Sequence, residues 1–127
     1  MAPSQIQIHI NALNRLLKDK IYYKKDIIEQ KKTIDDLNKK KESEQDKEVA
    51  EDLTYQLKKQ VQILDETENL IPSLNKKITE ILQNLYDYIS ENKSSINAQD
   101  LSNAEIVIKD CEDSLVEWLK EFHFKKN

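Results

Sequence analysis

Apolar residues recur along this chain at helical intervals. Within residues 5–41, Ile6, Ile10, Leu13, Leu17, Ile21, Ile28 and Ile34 follow one another mostly at three, four or seven residues. Leu16, Tyr23, Ile27 and Leu37 widen that stripe, and the width suits a helix contacting two neighbours. The second segment is more regular. Stepping alternately four and three from Leu53 reaches Leu57, Gln60, Leu64, Thr67, Ile71, Leu74, Ile78, Ile81, Leu85 and Tyr88, and nine of those eleven positions are apolar. One helix over about residues 46–91 follows, roughly 70 Å long at ~1.5 Å per residue. Pro72 falls inside it. Proline removes a backbone donor and crowds the carbonyl of Glu68, so a kink is expected there. The periodicity keeps its phase across Pro72, which favours a bend over a break. In the third segment Ala104, Ile108, Cys111, Leu115, Trp118 and Phe122 continue the same stepping, giving a helix over about residues 98–124.

The connections are polar. Residues 38–52 hold four Lys, six acidic residues and only Val49 and Ala50 as apolar ones, so an exposed link is expected at residues 42–45. Ser43 with Asp46 is a capping signal for the second helix. Residues 92–100 are rich in Asn and Ser. Asn92 is a candidate for a left-handed C-cap, and Asn97 or Asp100 for the N-cap of the third helix. Lys125 and Lys126 suit the negative end of that helix. Three amphipathic helices with short links predict an all-α fold. We expect a single domain over residues 1–127, an elongated antiparallel three-helix bundle whose second helix is longest and kinked at Pro72.

Composition narrows the function. The 127 residues include no Gly, so the phosphate-cradling loops and dinucleotide fingerprints that need Gly are absent. The only histidines are His9 and His123, without metal-ligand spacing to each other or to Cys111. No cofactor, metal site or catalytic constellation is expected, and the chain reads as a non-enzyme. Cys111 sits on the apolar stripe as a buried thiol, in keeping with a reducing compartment. No apolar run exceeds three residues, so no membrane span is expected and the protein reads as cytoplasmic.

Charge is distributed unevenly. Residues 15–41 carry ten basic and five acidic residues, a surplus of five, whereas the rest carries ten basic and nineteen acidic, a deficit of nine. Two explanations stand. Either a basic first helix packs beside acidic neighbours, or Lys18, Lys20, Lys24, Lys25, Lys31 and Lys32 offer a positive face to an acidic partner. Nucleic acid fits less well, because aromatic interleaving is slight and the total charge is −4. Tyr23 and Tyr88 lie on or near core positions, while Tyr22 and Tyr86 point elsewhere; exposed Tyr is favoured at interfaces, although single exposed aromatics are ordinary.

Two stretches carry a family resemblance. One is residues 15–23 (RLLKDKIYY), in the first helix. The other is residues 58–66 (KKQVQILDE), followed by Leu70, Ile71 and Pro72, with residues 104–108 (AEIVI) matching more weakly. Together they resemble the tubulin-binding cofactor A family over residues 5–37 and 53–111. The chain departs from the family pattern in a longer connection at 38–52 and in its continuation past the third-helix match.

The resemblance implies a small three-helix bundle that captures β-tubulin after chaperonin release and holds it for αβ-heterodimer assembly. It implies no nucleotide, metal or catalytic residue. Further partners would be other tubulin-folding cofactors, with no membrane and a cytoskeleton-associated location. β-Tubulin is acidic, so Arg15, Lys18, Lys20, Lys24 and Lys25 would steer it, with Tyr22 beside them. The region from Ile63 to Pro72 would contribute shape, and Lys58, Lys59, Ile63 and Glu66, which lie off the core stripe, are its surface candidates. The alternative is a helical-bundle adaptor or scaffold acting by helix–helix association. The chain is expected to be a monomer or a homodimer.

Overall fold

The computed structural model describes residues 4–126, with side chains through Glu121. Three α-helices run in chain order: α1 (Gln5–Ser43), α2 (Lys47–Asn92) and α3 (Ala98–Lys126). Among the described residues there is no strand. The fold is all-α. Each boundary falls within one or two residues of the one the hydrophobic pattern predicts. α2 continues unbroken through Pro72. The side chains of Phe122, His123, Lys125 and Lys126 lie outside the described residues.

The helix ends are set by short polar side chains. Ser4 and Gln7 form a reciprocal capping box at the start of α1: the Gln7 N–H donates to Ser4 Oγ (3.3 Å) and the Ser4 N–H to Gln7 Oε1 (3.1 Å). Ser43 and Asp46 act separately, contrary to the expected pair. Ser43 Oγ donates back to the Lys39 and Lys40 carbonyls, closing α1. Asp46 Oδ1 alone accepts the N–H groups of Glu48 (3.0 Å) and Val49 (3.4 Å), opening α2. The left-handed cap expected at Asn92 is not formed. Asn92 has φ −124° and ψ 16°, and no described residue has positive φ. A 3-10 turn over Lys93–Ser95 takes its place, after which Ile96 is extended. Any residue can adopt that path, which accounts for how the chain turns without Gly. Asn97 then caps α3: its Oδ1 accepts the Asp100 N–H at 2.7 Å and its Nδ2 donates to Asp100 Oδ2 at 3.1 Å.

Contacts divide the chain into two compact units, one comprising residues 1–19 with 73–127 and the other residues 20–72. In the first, the opening turns of α1, the second half of α2 and α3 share one core. Ile6, Ile10 and Leu13 meet Ile78, Leu82 and Leu85, with Ala104, Val107 and Cys111 completing the cluster. Cys111 is fully buried there, as its place on the stripe predicts. The starts of α1 and α3 are joined, since Gln7 Nε2 donates to Asp100 Oδ1 at 3.3 Å. These two helices therefore run parallel. Asp100 is buried and belongs to the first turn of α3, where a carboxylate suits the positive end of the helix.

The second unit is a helical hairpin with a thinner interior. Leu53, Thr67 and Ile71 of α2 and Lys20 of α1 are buried; Tyr23, Ile27, Ile34, Leu37, Leu57 and Leu64 are half-buried. Two helices share a single seam, so neither can cover the other's flanks. A polar rung crosses the seam at Gln30 and Thr67. Gln30 Nε2 donates to Thr67 Oγ1 (3.1 Å) and to Asp26 Oδ2 (3.1 Å), while Thr67 Oγ1 donates to the Ile63 carbonyl (2.9 Å).

Three α1 positions depart from the expected pattern. Ile21 and Ile28, assigned by spacing to the buried stripe, are 64% and 69% exposed, whereas Lys20 is 2% exposed. At about 100° per residue, two successive steps of four carry Ile21 about 80° from Leu13, while Lys20 comes back within about 20° of it. Lys20 therefore faces inward and Ile21 outward.

Candidate functional site

The cation run of α1 does not form one continuous face. Arg15, Lys18 and Lys25 are exposed and Lys24 is half-buried. Lys20, expected among the partner-facing lysines, is buried instead, and both Lys20 and Lys24 carry interactions within the protein. Tyr22 is 66% exposed, its ring edge-on to that of Tyr23 at 5.7 Å. That leaves exposed cations on the outer face of α1, with an aromatic beside them.

On α2, Lys58, Lys59, Ile63 and Glu66 are all exposed. Lys59, Ile63 and Glu66 share a strip at spacings of four and three, whereas Lys58 is turned about 100° from Lys59. The Lys59 ammonium lies 4.8 Å from the centre of the Tyr55 ring, an arrangement that orders a long side chain on an exposed face. Gln62 Nε2 donates to Glu66 Oε1 at 3.5 Å. Leu70, one heptad after Ile63 and also exposed, extends the strip. Leu70 belongs to the family motif as well, and its spacing marks it as a partner of Ile63.

These groups are exposed charged, aromatic and aliphatic side chains on helix surfaces. Among the described residues no three His, Cys, Asp or Glu side chains gather as metal ligands, and no helix is long and apolar enough to cross a membrane. The titration of Tyr86 is displaced. The Tyr86 hydroxyl on α2 donates to Glu112 Oε1 on α3. Its pKa is pushed up from 10.0 to about 12, chiefly by that hydrogen bond, then by burial, then by the neighbouring charges of Glu112 and Cys111. The folded phenol holds its proton more tightly than the unfolded one. Its contribution to stability is therefore complete below about pH 10 and is lost as pH rises towards 12. Denaturant unfolding of wild type and Tyr86→Phe should show a stability difference that narrows across that window. A difference that stays constant would mean that the pair does not form.

The comparisons with known proteins agree with this helical architecture. The family model for tubulin binding cofactor A matches residues 1–108. The tubulin-specific chaperone A of Saccharomyces cerevisiae is 33% identical over 115 residues, covering 91% of this chain and 97% of that protein. The tubulin-specific chaperone A of Homo sapiens is 27% identical over 105 residues, covering 82% and 87%. Among solved structures, RBL2P, a β-tubulin binding post-chaperonin cofactor, superposes with a TM-score of 0.69 at 29% identity over 88% of this chain and 98% of that one. The tubulin-binding cofactor A of Leishmania major, at 20% identity, shares the fold with a TM-score of 0.69. A family match across residues 1–108, with a relative 33% identical over nearly its whole length, decides the assignment: the chain belongs to the tubulin binding cofactor A family.

Proposed function

We propose that this chain is a tubulin-folding cofactor. It binds β-tubulin after chaperonin release and holds it for assembly into the αβ heterodimer, in the cytoplasm and without catalysis. The observation that carries this reading is the likeness, across 88% of the chain, to a β-tubulin binding post-chaperonin cofactor. Binding is stoichiometric and uses helix surfaces. Arg15, Lys18 and Lys25 steer an acidic client at long range. Lys58, Lys59, Ile63 and Glu66 on α2 supply shape and short-range contacts, and other tubulin-folding cofactors take over the loaded subunit.

Capture of separated α- and β-tubulin across a salt series tests the proposal. Wild type should retain β-tubulin and not α-tubulin, with affinity falling as salt rises. Replacing Arg15, Lys18 and Lys25 together by Gln should weaken capture roughly tenfold, taking about 0.5 kcal/mol for each exposed charge, and should flatten the salt dependence. No capture of β-tubulin by wild type would overturn the reading. Unchanged salt dependence in the triple variant would remove the steering role alone.

A further inference from the structure

Ile21 and Ile28 are the most exposed of the large aliphatic side chains among the described residues, at 64% and 69%. Lone exposed aliphatics are ordinary on protein surfaces. These two lie one heptad apart, and Lys25 and Lys32, also exposed, alternate with them. The series 21, 25, 28, 32 advances by four, three and four residues. At about 100° per residue it stays within an arc of about 60°, and it extends along roughly 16 Å of helix. Of the carboxylates in the same stretch, Asp26 lies about 140° from Ile21, and Glu29 lies about 80° from Ile21 and about 40° from Lys25, at the strip's edge. Within its arc the strip carries only cations and aliphatic groups.

Both isoleucines lie outside the hairpin interior, because the inward positions of this part of α1 are taken by Lys20, Tyr23, Ile27 and Gln30. Alternation at three and four residues is the spacing that meshes with a second helix laid alongside. Lysines seven residues apart fix the sign of that helix: it must bring carboxylates opposite Lys25 and Lys32 and apolar side chains opposite Ile21 and Ile28. In a parallel self-pairing Lys25 and Lys32 would face their own copies, and in an antiparallel one they would face Ile28 and Ile21, so a second copy of this strip supplies no carboxylate to either lysine.

We infer that Ile21, Lys25, Ile28 and Lys32 form a docking strip for an acidic amphipathic helix on the client protein. This rests on the β-tubulin reading, which names the client. The strip adds short-range apolar recognition to the long-range attraction of the other cations.

The experiment measures β-tubulin affinity for wild type, Ile21→Gln/Ile28→Gln and Lys25→Glu/Lys32→Glu, with sedimentation equilibrium on each chain alone. All four positions are exposed, so helicity and unfolding midpoint should be unchanged in both variants. The isoleucine variant should lose at least tenfold in affinity and keep the salt dependence of wild type. The lysine variant should lose at least as much and show a weaker salt dependence. Wild-type affinity in the isoleucine variant, with only the lysine variant impaired, would mean that a flexible acidic segment binds there, and the helix assignment would fail. Conversion of a wild-type dimer to a monomer by the isoleucine change would give the strip to a second copy and overturn the proposal. If wild type does not bind β-tubulin, the client reading and the strip fall together.

Discussion

Leu85→Ala is expected to lower the unfolding free energy by about 2–5 kcal/mol. Leu85 has no exposed surface and sits in the cluster where α1, α2 and α3 meet, against residues such as Leu13, Ile78 and Val107. Truncation removes the transfer free energy of the lost methyl groups and leaves a cavity that three helices cannot readily collapse. Domains of this size are stable by only about 5–15 kcal/mol in total, so the urea midpoint should fall sharply with little change in the slope. Ile28→Ala is the matched control. Ile28 lies on the stripe that spacing alone assigns to the core, yet it is 69% exposed, and Ala is the better helix former. Its midpoint should move little or rise. A loss at Ile28 comparable to that at Leu85 would show that α1 turns its other face inward in solution.

That contrast shows where spacing was sufficient and where it was not. In α2 the strict alternation of four and three keeps one face inward from Leu53 to Tyr88, and every position of that series is buried or half-buried. The series omits Asn75 and Leu82, which are also buried. In the first unit this helix meets both α1 and α3, so its covered face is wider than one seam. In α1 two successive steps of four broke the phase. Following the apolar letters led to Ile21, and keeping the phase leads to Lys20. Lysine is seldom expected inside, but its long aliphatic stem can occupy a core position while the ammonium finds a partner. Chemical identity outweighed helical angle there, and the angle was the better guide.

The candidate surface was legible in part. Tyr22, Lys25, Lys59, Ile63 and Glu66 are exposed as expected; Tyr22, Lys59, Ile63 and Glu66 lie off an apolar stripe, while Lys25 sits beside the outward Ile21 and Ile28. Ile21 and Ile28 were hidden by their own hydrophobicity, which makes an outward position look like an inward one. The turn after α2 departs from the expected left-handed cap for a different reason. Asn is the usual substitute for Gly in a left-handed cap, but Asn92 instead donates from Nδ2 to the Tyr88 carbonyl at 3.0 Å and hands the chain to a 3-10 turn. A local side-chain hydrogen bond satisfied the helix end without positive φ.

Asn75→Leu is expected to raise stability by about 1–3 kcal/mol, the cost of a buried polar group without a partner. Asn75 is 4% exposed on the inner face of α2, in the series Ile71, Asn75, Ile78, Leu82 and Leu85. Neither its Nδ2 nor its Oδ1 has a hydrogen-bond partner in the protein. Leucine branches at the same atom but is bulkier, so the exchange trades the desolvated amide for apolar contact against some overpacking. The increase should appear as a higher urea midpoint, and the size of the change decides what the amide does. A full 1–3 kcal/mol would mark Asn75 as a position where stability is given up. A lone polar residue on an apolar helix face disfavours alternative registers and partners at such a cost. The more stable variant should then show a second signature: self-association in sedimentation equilibrium, or loss of the sharp cooperative transition of wild type. A stability gain with a monomeric, equally cooperative variant would leave the asparagine without a specificity role. No gain at all would mean that the amide is already satisfied in solution, with water bridging it to a neighbouring polar group.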